Sequence, residues 1–355
     1  MKKMKKSILI VLAAFIAVAF ALPNLPANAA PDSSSALSIA PKKNYVIEPG
    51  KSVDDTLVIR NADSQSPLTL SMRVIDFSYT NDTGTPKLLL GPNEPQTAWS
   101  LKSYLNVPQT VEIAPGASKT VKLRVAMPKD VGPGSYYSAI IYSTGAPSSN
   151  TSSVGLSASG VTLVFVNVPG KVHEKLDLTK FGAYSAQNGY EYIAMQTPLN
   201  IAYSLKNSGN VVEAPVGSIT LQDMFGHKTE IADVNPSKSL ALIGQERTFL
   251  ACIKQKTADA TVAGSSVKSN ECVTPGMWPG LYTATIDLYY GQNGNNTQEI
   301  LKTAHFWYLP WWFIFISLAI IAVVSYYVWK IQRNIRAKLY GPRVSKLGSK
   351  GRRRR

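Results

Sequence analysis

The fold class this sequence predicts is all-β: two Ig-like β-sandwich domains in tandem, followed by a single transmembrane α-helix. Three observations predict it. Short runs rich in Val, Ile, Leu, Thr and Tyr follow one another through the middle of the chain, each bounded by Gly, Pro, Asn or Asp. No segment among them carries an apolar stripe of helical period. An uninterrupted apolar stretch then runs from Pro310 to Trp329 and leads straight into Lys330, Arg333, Arg336 and Lys338. The length of 355 residues suits two domains plus targeting segments.

In chain order, residues 1–29 read as a secretory signal peptide. Lys2, Lys3, Lys5 and Lys6 precede the apolar run SILIVLAAFIAVAFAL, and the small-x-small triplet Ala27-Asn28-Ala29 supplies a cleavage site. An uncleaved signal anchor is the alternative. The first sandwich is expected over 30–170. Its strands include TLVIRN (56–61), LTLSMRVIDF (68–77), TVKLRVAMP (120–128), YYSAIIYS (136–143) and GVTLVFVNVP (160–169). Two stretches, IEPGKSVDDTLVIRN and IAPGASKTVKLRVAMP, share one order: an apolar residue, a Pro-Gly turn, a polar linker and an alternating strand.

The second sandwich is expected over 171–306, from TPLNIAYSLKNSGN (197–210), GSITLQDMFG (217–226), ERTFLACI (246–253) and GLYTATIDLYYG (280–291). Lys254–Glu271 is polar and reads as an exposed loop pinned at its base by a Cys252–Cys272 disulfide. Two free thiols are the alternative. The transmembrane helix is expected over 307–329. Trp307, Tyr308, Trp311 and Trp312 form one aromatic belt and Tyr326, Tyr327 and Trp329 the other. A basic cytoplasmic tail over 330–355 completes the chain, which places the N-terminal part outside the cell membrane.

The net charge of +15 argues less for nucleic acid than its size suggests. Four lysines lie within residues 1–30 and eleven Lys or Arg within 330–355, with no acid in either segment. The middle keeps 22 basic residues against all 22 acids. Charge gathered at two ends beside apolar segments is a topology signal, so no nucleic acid is expected for the ectodomain.

No catalytic residue, cofactor or metal site is expected. The sequence has no phosphate-binding Gly-rich loop, no HExxH and no GxSxG. His173, His227 and His305 fall in different elements, and the adjacent Asp54 and Asp55 point to opposite faces of a strand. The candidate ligand-binding residues are Trp99, Tyr136 and Tyr137, whose rings could stack on a sugar if one tyrosine of the pair faces outward. Core filling is the other reading of Trp99, and the favoured one.

The stretch PGKSVDDTLVIRN, a strand ending in VIDF, Trp99, and then LNVPQTVEIAPGASKTVKLRVAMPKDVGPGSYYSAIIYS resembles the N-terminal domain of the WxL-interacting proteins of Gram-positive surfaces. The resemblance covers residues 37–145. It implies a peptidoglycan-binding Ig-like first domain and a second domain that engages WxL-type or other surface proteins. The expected protein is thus a membrane-anchored cell-surface binding protein whose partners are membrane lipid, peptidoglycan and surface proteins. A membrane-tethered chaperone or accessory subunit for secreted or envelope proteins is the alternative.

Overall fold

The computed structural model of the chain describes residues 37–79, 84–91, 97–144, 158–262, 265–291 and 297–341. The signal peptide expected over 1–29 and the arginine run 352–355 lie outside the described residues.

The described residues of the first sandwich form the strands β1 (Leu37–Ser38), β2 (Lys42–Val46), β3 (Ser52–Asn61), β4 (Leu68–Ile75), β5 (Phe77–Tyr79), β6 (Pro86–Leu88), β7 (Leu105–Asn106), β8 (Thr110–Ile113), β9 (Ser118–Ala126), β10 (Gly134–Thr144) and β11 (Ala158–Val168). A sheet of order β1-β3-β9-β7 packs on a sheet of order β2-β11-β10-β4-β8, and β5 and β6 form a small hairpin. Alternation sets the faces. Leu57 and Ile59 of β3, and Val121, Leu123 and Val125 of β9, point inward between exposed neighbours. They meet Leu70, Met72, Ile140, Tyr142, Val164 and Val166 from the other sheet.

The two Pro-Gly stretches make the same turn. Gly50 (φ 75°) and Gly116 (φ 65°) take the left-handed conformation that glycine permits. Each turn closes with a backbone bond, Lys51 N–H to Glu48 O at 3.1 Å and Ala117 N–H to Ala114 O at 3.1 Å. The strands they launch, β3 and β9, are direct antiparallel neighbours.

The second sandwich comprises β12 (Leu176–Ser185), β13 (Gly189–Glu191), β14 (Ile193–Ala194), β15 (Asn200–Asn207), β16 (Val216–Asp223), β17 (Lys228–Ile231), β18 (Glu246–Cys252), β19 (Gln255–Val262), β20 (Ser265–Cys272), β21 (Gly280–Tyr290) and β22 (Gln298–Tyr308). Its sheets have the orders β13-β12-β15-β18 and β14-β22-β21-β16-β17. Strand β21 alternates along its whole length, sending Tyr282, Ala284, Ile286 and Leu288 into the core. The segment expected as a loop over Lys254–Glu271 is instead an antiparallel ribbon of β19 and β20, in register from Gln255↔Cys272 to Val262↔Ser265. Its Thr- and Ser-rich sequence reads as a loop, but backbone pairing does not depend on a long apolar run. Cys252 and Cys272 are disulfide-bonded at its base, with Cα atoms 5.7 Å apart.

Helix α1 (Trp311–Tyr340) follows the last strand after two residues. It begins later than the expected residue 307, because β22 holds Trp307 and Tyr308 in its ladder and Pro310 lacks the N–H to continue that ladder. It also runs beyond Trp329 through Lys330, Arg333 and Arg336, since Lys and Arg are good helix formers. The segment Trp311–Arg336 is long and apolar enough to cross a membrane, and none of it is buried against the two domains.

Candidate functional site

Three surfaces could carry function: the junction between the sandwiches, the open edge of the first, and the end of the second from which the helix leaves.

Strand β10 explains the junction. It is buried from Gly134 to Ser143, on both faces. Tyr136, Ile140 and Tyr142 fill the core of the first sandwich. Tyr137, Ala139 and Ile141 point the other way and enter a separate apolar cluster with Ile75, Phe77 and Phe165, closed by Leu242 and Ile243 of the second sandwich. Phe77, Tyr137 and Phe165 pack as an aromatic triad with centroids 5.4–6.0 Å apart. Polar bonds stitch the same seam. Ser135 N–H donates to Asn210 O at 2.9 Å, Val212 N–H to Ser135 Oγ at 2.9 Å, and Tyr79 N–H to Gln245 Oε1 at 2.9 Å. The Arg247 guanidinium lies over the rings of Tyr79 and Phe249 and donates to Leu240 O at 2.7 Å.

The three sequence-predicted ligand residues belong here. Trp99 is half-buried and meets Tyr136 edge-on at 5.7 Å. Tyr136 is 8% exposed and Tyr137 1%. The alternation that should turn one tyrosine outward is present, but the second sandwich covers the outward face. Burial pushes both phenols above their usual range. The arrangement stiffens the junction and offers little ring surface to a sugar. The three histidines remain apart, with His227 Nδ1 2.9 Å from Asp223 Oδ2 and His305 Nδ1 3.0 Å from Thr283 Oγ1. Asp54 and Asp55 diverge as well. Asp55 accepts from Lys43 Nζ at 2.8 Å and Tyr45 Oη at 2.7 Å, which hold its carboxyl at about 2.

Strand β2, one of the edge strands of the first sandwich together with β1, β7 and β8, is short and charged and is not read as a strand from the sequence. It lies parallel to β11. Leu163 N–H donates to Pro41 O at 2.9 Å and Ile47 N–H to Asn167 O at 3.0 Å. This register turns the backbone groups of the odd-numbered residues toward β11 and those of Lys42, Asn44 and Val46 away from it. These three residues are exposed, and among the described residues no strand pairs with that side of β2. The available signal was the short apolar run Tyr45-Val46-Ile47 behind two lysines and an asparagine, too brief to mark a strand.

The third surface is the helix end of the second sandwich. Trp307 N–H donates to Tyr192 O at 2.8 Å and Leu309 N–H to Ala194 O at 2.9 Å, so the β13–β14 region lies beside the last residues of β22. Gly280 pairs with Tyr308, which places the start of β21 at this end. Trp278 sits there, with both its N–H and its carbonyl bonded to Tyr282 Oη. The β16–β17 turn carries Met224 and Phe225 beside them, because Asp223 pairs with Tyr282. An open cleft of about 560 Å³ lies among these elements, lined by Leu221, Asp223, His227, Met277, Trp278 and Tyr282.

No family model matches the chain, so the resemblance to WxL-interacting proteins gains no support, and no curated protein matches it either. Among solved structures it is similar to the class 5 fimbriae chaperone CfaA, with 14% identity over 75% of this chain and 98% of that one, at a TM-score of 0.34. It is also similar to the Escherichia coli chaperone DraB (12% identity, 76% and 94% covered, TM-score 0.31) and to a Salmonella enterica complex of the SafA pilin with the SafB chaperone (10%, 76% and 95%, TM-score 0.32). Likeness this distant carries no argument about function.

Proposed function

We propose that the protein is a membrane-tethered, non-enzymatic binding protein of the accessory or chaperone kind, which takes up an extended segment of a protein partner on the free edge of β2. The observation that carries this reading is the row of outward backbone groups at Lys42, Asn44 and Val46. An exposed edge of this kind is a template for strand addition, in which main-chain bonds supply affinity with few diagnostic side chains. Helix α1 anchors the chain, and the basic residues that follow Trp329 keep that end in the cytoplasm. The sandwiches then stand outside, and the shared junction core holds them as one rigid arm. Display on a membrane makes a modest single contact sufficient.

The test uses the full chain in detergent, offered solubilised envelope proteins and, separately, isolated cell walls. Capture of a discrete protein is expected, and Asn44→Pro is expected to reduce it at least tenfold. Proline at this position removes an outward N–H and leaves the bonds to β11 in place, so the melting temperature should hold. Sedimentation with walls and no captured protein would overturn the reading in favour of peptidoglycan.

A further inference from the structure

The described surface outside the helix is unevenly apolar. Exposed large aliphatic side chains occur elsewhere on the two sandwiches, at Val46, Val58, Leu90, Leu250 and Leu301, whereas a group that holds the exposed aromatics comprises Tyr192, Ile193, Met224, Phe225, Trp278 and Trp307. All six lie at the helix end of the second sandwich, by the strand registers given above. Trp278 is 71% exposed, Phe225 67% and Tyr192 82%. They project from three separate segments: the turn after β16, the approach to β21, and the β13–β14–β22 corner. A single adhesive loop would not gather this pattern. Three segments that meet at one end of the domain do.

Distance decides what that plane meets. From Tyr308, still in the sheet, to Trp311, the first residue of α1, the chain advances three residues. Three residues span at most about 10 Å. The headgroup layer on each side of the hydrocarbon core is roughly 5–8 Å thick. With Trp311 and Trp312 at the upper boundary of the hydrocarbon, Tyr308 lies no more than about 10 Å above it, which brings the rim within side-chain reach of the headgroup layer. Trp, Tyr and Phe are the side chains that gain from this layer, because each combines an apolar body with a polar or polarisable edge.

We infer that this rim is a lipid-docking surface: Phe225, Trp278 and Tyr192 sit in the headgroup layer and hold the second sandwich against the bilayer from which α1 emerges. The inference rests on the anchoring role of α1 proposed above. It adds a second membrane contact that is continuous with the helix but made by the sandwich. Consequently the whole two-sandwich arm has a fixed tilt, since the junction core couples the first sandwich to the second.

The experiment uses the full chain reconstituted in phosphatidylcholine–phosphatidylglycerol vesicles. Both native cysteines are in the disulfide, so one added cysteine can carry an environment-sensitive NBD probe. Four variants are compared: Phe225→Cys and Trp278→Cys on the rim, Ser64→Cys in an exposed turn of the first sandwich, and Ile320→Cys in the helix. Doxyl groups placed shallow or deep in the lipid report contact. The rim probes are expected to be quenched by shallow doxyl at least threefold more than the Ser64 probe, and the Ile320 probe by deep doxyl. Quenching at Ile320 with rim probes no different from Ser64 would overturn the inference and leave the anchor standing. No quenching at Ile320 would overturn the anchor itself, and the inference with it. Rim probes that shift blue with rising protein-to-lipid ratio, unquenched by doxyl, would assign the rim to a second copy of the chain and equally overturn it.

Discussion

The two ends of the second sandwich are built from similar material and treated oppositely. At the junction end, Leu242 and Ile243 are buried against Tyr137, Phe77 and Phe165. At the helix end, Trp278, Phe225 and Tyr192 are left in the open. Apolar side chains at both ends cost free energy in water. The first end is satisfied within the chain by the neighbouring domain, and the second by nothing among the described residues. The difference shows how a chain divides its apolar surface between folding and attachment: what is buried between the domains stiffens the arm, and what is left exposed faces the next layer outward.

The largest effect expected from this comparison is on stability. Tyr137→Ala empties the centre of the junction cluster and should cost about 4 kcal/mol, the usual scale for removing a buried aromatic ring. Phe225→Ser on the rim should change stability by no more than about 0.5 kcal/mol. Chemical denaturation of the two variants in detergent measures both. Equal losses would break the comparison, because the rim would then be part of a core.

Glu213 sharpens it further. This carboxylate is 2% exposed at the junction end, where Oε2 accepts from Gly291 N–H at 3.3 Å and Oε1 has no partner among the described residues. Burial, reinforced by the nearby charge of Glu174, raises its pKa from 4.5 to about 7. Between those values the folded chain holds a proton that the unfolded chain has released. Stability therefore falls as pH rises through this window and levels off above it. Glu213→Gln removes the titration. It should leave stability nearly unchanged at pH 4 and raise it by up to about 3 kcal/mol at pH 8. Denaturant midpoints at the two pH values check this, and a gain equal at both would point to a packing effect in place of a proton.

A smaller loss than at Tyr137 is expected from the disulfide at the helix end. Closing a loop of twenty residues is worth about 3 kcal/mol in the chain-entropy model. The paired ribbon of β19 and β20 already restrains that segment. Replacing Cys252 and Cys272 together by serine should therefore cost about 2 kcal/mol. A loss above 4 kcal/mol would mean that the bond organises the cleft around Trp278 as well as the ribbon.

Much of the fold was legible in the residues, for local reasons. Alternation in TVKLRVA and GLYTATIDLYY marks half-buried strands, Pro-Gly marks the turns that launch β3 and β9, and the charge-free run after Pro310 marks the helix. The candidate surfaces were far less legible. Tyr136 and Tyr137 alternate as expected, yet alternation names two faces without saying what covers the second. Strand β2 escaped notice because an edge strand pairs on one side and carries charge on the other, so its composition is that of a loop. Trp278 and Phe225 stand in connections between strands, where a single aromatic residue has no period to read.

The sequence by itself determined the all-β class, the cysteine pair and the membrane-length helix, because each depends on neighbours within a few residues or on composition. Tertiary structure decided that the outward face of β10 became a second core, that β2 kept a free edge, and that exposed rings from three segments meet at the end from which the helix departs. These outcomes follow from contacts between residues tens to more than a hundred positions apart, and no local pattern encodes which distant surface will meet which.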